Sequence, residues 1–491
     1  MTNNSTEKKS IQQIIILFTS IFIILSSGSL YILHSEQLTP QELVDEISSP
    51  SESDWMGIYL NDNKIGYVYS ELKPIPDGGY EIINISRISG AVMGKQQVML
   101  TRMTTITDSM FALVSFDCCL DATPYVTFYT GEIKDKILFI QVEKIGGSTE
   151  KIQTASKPFY LSPIIEPILQ LGKLPKGDTL RLSEFDPLSM QMQDLFVINK
   201  GKTTRTINGE DMVVLQLTTI MLGLESTIYL DEEYNTIEEF GPMGLVMRRE
   251  DMEQALNLEN GSGKIDFLSI YSIQPVGTIK APRSVTHARY RITGFNIQKA
   301  ISISDRQNSV DFNSNIIKVA DKYQPSDISV EDIKAFTTDS PYIESNDPQI
   351  IQAAQEAMRN GSSRLDSLNR LTDWVFRTIT KKPSVGIPSA LAILKTRRGD
   401  CNEHSTLFTA LSRSVGIPTR MHLGVVYQKG RFYYHAWTAA WVEGCWMEFE
   451  PTFGSKTVDA ARIALTSGDL TNSLDLAAAI GKIKIEILEA E

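Results

Sequence analysis

A cysteine at the start of a helix, with a histidine and a carboxylate on a nearby hairpin, are the residues here whose types and spacing could do chemistry. In RRGDCNEHSTLFTALSRSVGIP, Gly399 supplies a bend, Asp400 is a good N-cap and Glu403 completes a D-x-x-E capping box. Cys401 therefore falls in the first turn of a helix. A thiol there meets free N–H groups and the positive end of the helix dipole, which favour the nucleophilic thiolate. The base such a thiol needs is a histidine, and His404, His422 and His435 all follow Cys401 closely. His435 is the best placed, in RFYYHAWTAAWVEGCWMEFEPTFG, which reads as two strands joined by a tight turn at Glu443-Gly444. That turn sets Val442 opposite Cys445 and Trp437 opposite Glu450. His435 and Trp437 are two apart on one strand, so they share a face, and Glu450 is a diagonal neighbour of His435 at roughly 7–8 Å between Cα atoms. A three-residue turn would move Glu450 to the other face. The arrangement suits acyl transfer: Cys401 attacks an acyl carbon, His435 takes and returns the proton, and Glu450 holds the imidazole tautomer.

The neighbouring residues have plainer readings. Glu403 is a helix-cap partner and not a second acid. His404 and His422 read as structural, and Cys118, Cys119 and Cys445 as inert thiols. A zinc site built from Cys401, His404 and His435 would lack a second thiolate or ligand pair, so neither metal nor cofactor is expected. Trp437, Trp441 and Trp446 crowd one hairpin; two of the three belong in a core, while Trp437, on the catalytic face, is a candidate wall for bound substrate. Arg397 and Arg398 read as a solvated pair.

Helices are needed to deliver the cysteine. Asp347-Pro348 begins one, as cap and first residue; Ser363 begins a second with Leu365, Leu368, Leu371, Val375 and Ile379 on one stripe; Ser389 caps the short ALAILKT. Upstream, from about residue 55, the pattern is of strands: MGIYLNDNKIGYVYSEL reads as a hairpin turning at Asn61-Asp62-Asn63, and blocks such as QQVMLTRMTTIT and EDMVVLQLTTI follow. A helix-leaning island, YLSPIIEPILQL, interrupts them without carrying a catalytic constellation. At the N-terminus, Ser10 to Leu33 holds no charged residue and is rich in Ile, Leu and Phe, with Lys8 and Lys9 before it. That length and flank predict a transmembrane anchor with a cytoplasmic N-terminus and the bulk of the chain periplasmic or extracellular, the rival reading being a cleaved signal peptide.

GDCNEHSTLFTALSRSVGIPTR, followed by HAW and EPTFG, resembles the transglutaminase-like core domain. With GVVYQKGRFYYHAW and the closing IGKIKIEILEAE, the run is most similar to bacterial, membrane-anchored transglutaminase-like proteins. The resemblance spans about Pro348 to Glu491. It implies a papain-like α+β fold with a Cys-His-Asp triad at Cys401, His435 and position 450, where this chain carries Glu450 in place of the usual Asp. It also implies a thioester intermediate and a peptidase or amidase-type hydrolase, with protein crosslinking second. The contrasting expectation is a catalytically degenerate module that binds peptide or cell-envelope polymer.

The whole chain is thus expected to be α+β. Its predicted divisions are 1–34 as tail and anchor, 35–54 as connector, 55–300 as an antiparallel β-rich domain, 301–345 as linker, and 346–491 as catalytic domain. With 491 residues the chain is long enough for several cores. Its net charge of −12 argues against nucleic acid and leaves a protein or peptide substrate and, through the anchor, a membrane as partners.

Overall fold

A computed structural model describes residues 53–468 and 479–491, apart from 77, 93, 146, 155–157, 162–163, 188–190, 208, 222, 259–264, 297–303, 312–313, 326–328, 341 and 383–387. The chain divides into two compact units that meet in sequence at Ile265 and Asp266.

The first unit is built on a fourteen-stranded antiparallel sheet. Alternation of inward and outward residues explains its strands: Leu113–Ala122 buries every second or third side chain, as a half-covered strand does. Sequence neighbours pair throughout, from Gly147–Thr154 at one edge to Ser53–Leu60, and from Leu245–Glu250 to Thr179–Asp186 at the other edge. Ser53–Leu60 and Leu245–Glu250 close the middle, with Trp55 opposite Glu250 and Leu60 opposite Leu245. The expected first hairpin turns at Asn61 and Asp62, both at positive φ, as the tight turn of a twisted hairpin requires. The helix-leaning island yields the helix Ile165–Leu171. Its Leu169 packs with Leu182, Leu195, Val197, Leu217 and Leu230, each buried side chain contributing about 1.5–3 kcal/mol.

The second unit carries the helices. They are α1 (Pro348–Ala357), α2 (Arg364–Thr378), α3 (Ala390–Thr396) and α4 (Cys401–Ser414). Their starts follow local chemistry: the Asp347 carboxylate accepts from the Gln349 N–H, Ser363 Oγ from the Asp366 N–H and Ser389 Oγ from the Ala392 N–H. Ile350, Ala354, Leu368, Leu371 and Val375 form one core with Leu407 and Leu411 of α4. Two short strands, β1 (Thr380–Lys381) and β2 (Arg398–Gly399), pair in parallel just before α4. A four-stranded antiparallel sheet follows, from β3 (Thr419–Gln428), β4 (Arg431–Val442), β5 (Cys445–Phe449) and β6 (Arg462–Gly468), in the order β5-β4-β3-β6. A second four-stranded sheet joins Gln307–Asp311, Ile316–Ala320, His287–Thr293 and Lys484–Ala490.

The α+β expectation for the whole chain is corrected here. Strands dominate the described residues, because the first unit is almost entirely sheet and the second adds two more sheets to its short helices. The helical stripes between residues 348 and 414 are real, but they are local to one part of one unit. No helix among the described residues is long and apolar enough to cross a membrane. The apolar run from Ser10 to Leu33, on which the anchor rested, lies outside the described residues.

Candidate active site

Cys401 is the first residue of α4 and is partly buried. The capping box forms in full: the Asp400 carboxylate accepts from the Asn402 N–H at 3.1 Å, and Glu403 Oε2 accepts from the Asp400 N–H at 2.7 Å. Gly399 is required for this geometry. It sits at φ +155°, and a Cβ there would lie 2.3 Å from the Cβ of Glu403. His404 makes the next turn rigid, its Nδ1–H donating to the Asp400 carbonyl at 2.5 Å.

The hairpin carries the other two residues. β4 and β5 pair with Val442 opposite Cys445 and Thr438 opposite Phe449, around a turn at Glu443 and Gly444 with positive φ at both. Paired strands end at Phe449, and Glu450 instead bridges back to Ser455. There its Oε2 lies 2.7 Å from His435 Nε2, and its Oε1 accepts from the Thr452 N–H at 3.2 Å. The backbone N–H of Ala436, the residue after His435, and the Glu450 carboxylate both act electrostatically on the Cys401 thiol. Nucleophile, imidazole and carboxylate therefore converge at the start of α4.

Electrostatics separates their tasks. Burial pushes the Cys401 thiol well above its ordinary range, and the carboxylates of Asp400, Glu403 and Glu450 add to that, opposed by the Ala436 N–H. At Cys401 burial and these carboxylates outweigh the helix N-terminus. Burial also works against the Glu450 carboxylate, but His435 and Arg462 outweigh it and hold Glu450 down at about 2. Arg462, itself buried, reaches Glu450 Oε2 at 3.3 Å. It is also paired with Asp459.

Trp437 differs from its expected role as a wall for substrate. It is 0% exposed, its ring 6.1 Å from that of His435 and its indole N–H donating to Glu448 at 2.9 Å, so it packs behind the imidazole. The ring that faces solvent over His435 is Phe453, 40% exposed and stacked at 5.2 Å. Spacing did not reveal Phe453 or Arg462; the aromatic in EPTFG, directly after the carboxylate motif, was the available signal for the first.

The remaining residues take these places. Glu403 is buried in the capping box, and burial with the nearby Asp400 raises its carboxyl well above the usual range. His404 is fully buried, and burial lowers its pKa. His422 lies opposite Trp437 on β3, and burial lowers it to about 3. Arg397 ends α3 in the left-handed region and Arg398 lies in β2. Cys118 is buried in the first unit, while Cys119 and Cys445 are partly exposed. Among the described residues, no three His, Cys, Asp or Glu side chains gather into a group that could hold a metal.

Residues 351–451 match the family model of the Transglutaminase-like superfamily, a cysteine-type enzyme family, and the matched segment contains all three site residues. No curated protein matches the chain. Among solved structures, a presumed cysteine protease from Cytophaga hutchinsonii is 16% identical, with 42% of this chain and 90% of that one covered and a TM-score of 0.30. A beta-barrel-like protein of a domain of unknown function from Brucella abortus is 12% identical, covering 40% of this chain and 95% of that one, also at a TM-score of 0.30. A presumed protease from Parabacteroides distasonis is 9% identical over 74% of this chain and 65% of that one, at a TM-score of 0.20. At such scores the likeness to these three carries no argument.

Proposed function

We propose, from the transglutaminase-like match over residues 351–451, that this chain is a cysteine acyl-transfer enzyme acting on a protein or peptide amide. The observation that supports it most is the His435 imidazole, whose Nε2 is held 2.7 Å from Glu450 on the strand whose Ala436 N–H acts on the Cys401 thiol. With Nε2–H committed to that carboxylate, Nδ1 is the nitrogen free to act as base. It takes the Cys401 proton as Sγ bonds to the acyl carbon, and the amide C–N bond breaks as the same proton passes to the departing nitrogen. A thioester remains on Cys401. Water attacking it gives a peptidase, an amidase or a deamidase, and an amine attacking it gives a crosslink. Hydrolysis is the first reading. The imidazolium formed on the way is stabilised by Glu450, which Arg462 and the Thr452 N–H keep ionised and aimed. The backbone N–H of Cys401, in the first turn of α4, suits a developing oxyanion.

The test is a screen of the full chain against peptide and glutamine substrates, reading peptide cleavage, ammonia release and amine incorporation together, with iodoacetamide labelling of all four thiols in parallel. Turnover that disappears in Cys401→Ala, with Cys401 labelled faster than Cys445 and slowed by His435→Ala, is expected. Equal, slow labelling of all four thiols without turnover would sink the enzyme and leave a binding module.

A further inference from the structure

The chain is acidic overall, with a net charge of −12, yet the two short strands before Cys401 gather four cations. Lys381 on β1 lies opposite Gly399 on β2, two residues ahead of the nucleophile. The Lys382 N–H donates to the Gly399 carbonyl at 3.1 Å and the Thr380 N–H to that of Arg397 at 2.8 Å, so the backbone fixes Lys381 and Lys382 beside Arg397 and Arg398. Around Lys381 stand two aromatic rings. Its Nζ lies 4.5 Å from the centre of Phe376 and 5.7 Å from that of Phe453, the ring stacked on His435. These are exposed large apolar side chains, Phe376 at 37% and Phe453 at 40%.

Three other cations nearby are paired with carboxylates. Arg283 pairs with Asp459 at 2.8 Å, Arg462 with Asp459 and Glu450, and Lys456 with Asp373 at 2.9 Å. Among the described residues no carboxylate lies within ion-pair distance of Lys381. Its charge still reaches the site, disfavouring protonation of His404; at Lys381 itself burial lowers the pKa, and the Glu450 carboxylate opposes that. An unpaired ammonium between two exposed aromatic faces, at the lip of a thiol and its base, has the composition of a subsite for an anion carried on an apolar chain.

We infer that Lys381, flanked by Phe376 and Phe453, forms a subsite for a carboxylate on the acyl substrate, next to the carbonyl that Cys401 attacks. This rests on the acyl-transfer reading and names its substrate class: peptides bearing a free carboxylate beside the reacting amide. Lys381 acts here as a specificity residue, and it takes no part in the proton transfers.

Alkylation of the full chain separates this idea from the reading beneath it. Iodoacetate and iodoacetamide deliver the same reactive carbon with and without a carboxylate, and peptide mapping reports each thiol. At low salt the iodoacetate-to-iodoacetamide rate ratio at Cys401 should exceed that at Cys445 by about fivefold. It should fall about threefold or more in Lys381→Gln, fall further in Lys381→Glu, persist in Lys381→Arg, and shrink as salt is added. Fast iodoacetamide labelling of Cys401 with a ratio equal to that of Cys445 and indifferent to Lys381→Gln would overturn the subsite alone. Slow iodoacetamide labelling indifferent to His435→Ala would overturn the nucleophile instead. Two protecting peptides identify the carboxylate: one with a free C-terminus and no acidic side chain, the other amidated with a glutamate. Protection of Cys401 by either supports the subsite and names the source; protection by neither counts against it.

Discussion

Glu448 and Glu450 lie two residues apart at one end of the same hairpin, both fully buried and both held down at about 2 against the cost of burial. Each has an arginine and a histidine. Glu448 takes Arg306 at 2.7 Å and has His422 at 3.8 Å, with Ser304 and the Trp437 indole completing its shell. Glu450 takes His435 at 2.7 Å and Arg462 at 3.3 Å. The difference lies in what else the imidazole touches. His422 is 0% exposed, and among the described residues neither of its ring nitrogens has a hydrogen-bond partner. His435 is 8% exposed, lies against a solvent-facing phenylalanine, and neighbours Ala436, whose N–H acts electrostatically on the Cys401 thiol. The same three residue types make a structural knot in one place and a candidate catalytic centre in the other, and access to a nucleophile and to solvent divides them.

The sharpest break between the two is expected from the histidines. His435→Ala should lower turnover by about 10³-fold or more, whereas His422→Leu should change it by no more than about threefold per folded molecule. Steady-state rates normalised to active protein check this, and equal losses would erase the distinction. The carboxylates should differ in the opposite sense. Glu448→Ala leaves Arg306 buried without a carboxylate and should cost about 3–5 kcal/mol in denaturant unfolding. Glu450→Ala leaves Arg462 still paired with Asp459 and should cost about 1–3 kcal/mol while removing most activity.

The smallest effect lies in acid. Burial favours neutral His422 in the fold, down to about 3 from an ordinary 6.5, so the unfolded chain takes up the proton first and stability falls as pH drops below 6.5. Glu448 and Glu450 act in the same direction lower down: their contribution is complete above about 4.5 and is lost as pH falls towards 2. His422→Leu should therefore lose its share of the upper limb, between pH 6.5 and 4.5, and keep the carboxylates' share of the lower one. An unaltered upper limb would show that His422 is not the group responsible.

Local chemistry was legible in the sequence and long-range pairing was not. The capping box at Asp400 and Glu403, the caps at Asp347 and Ser389, the helix start at Ser363, and the Glu443-Gly444 turn are each decided within four residues, and the structure has all of them. The turn also carried the register that brings Glu450 near His435. Arg462 could not be found that way, because it arrives through β6 pairing with β3, opposite Val426. Lys381 is set beside Gly399 by parallel strands of two residues each, too short to leave a period. The balance of strand over helix escaped for a related reason: each strand block was readable, but nothing local says that fourteen join one sheet.

Trp437 stands between the two histidines, 5.8 Å from His422 and 6.1 Å from His435 by ring centres. One indole thus borders both imidazoles, and its emission is open to quenching by a proton on either ring. In a chain with the other tryptophans replaced, a fluorescence titration would follow the buried knot and the candidate base from a single built-in reporter, without any substrate having been identified.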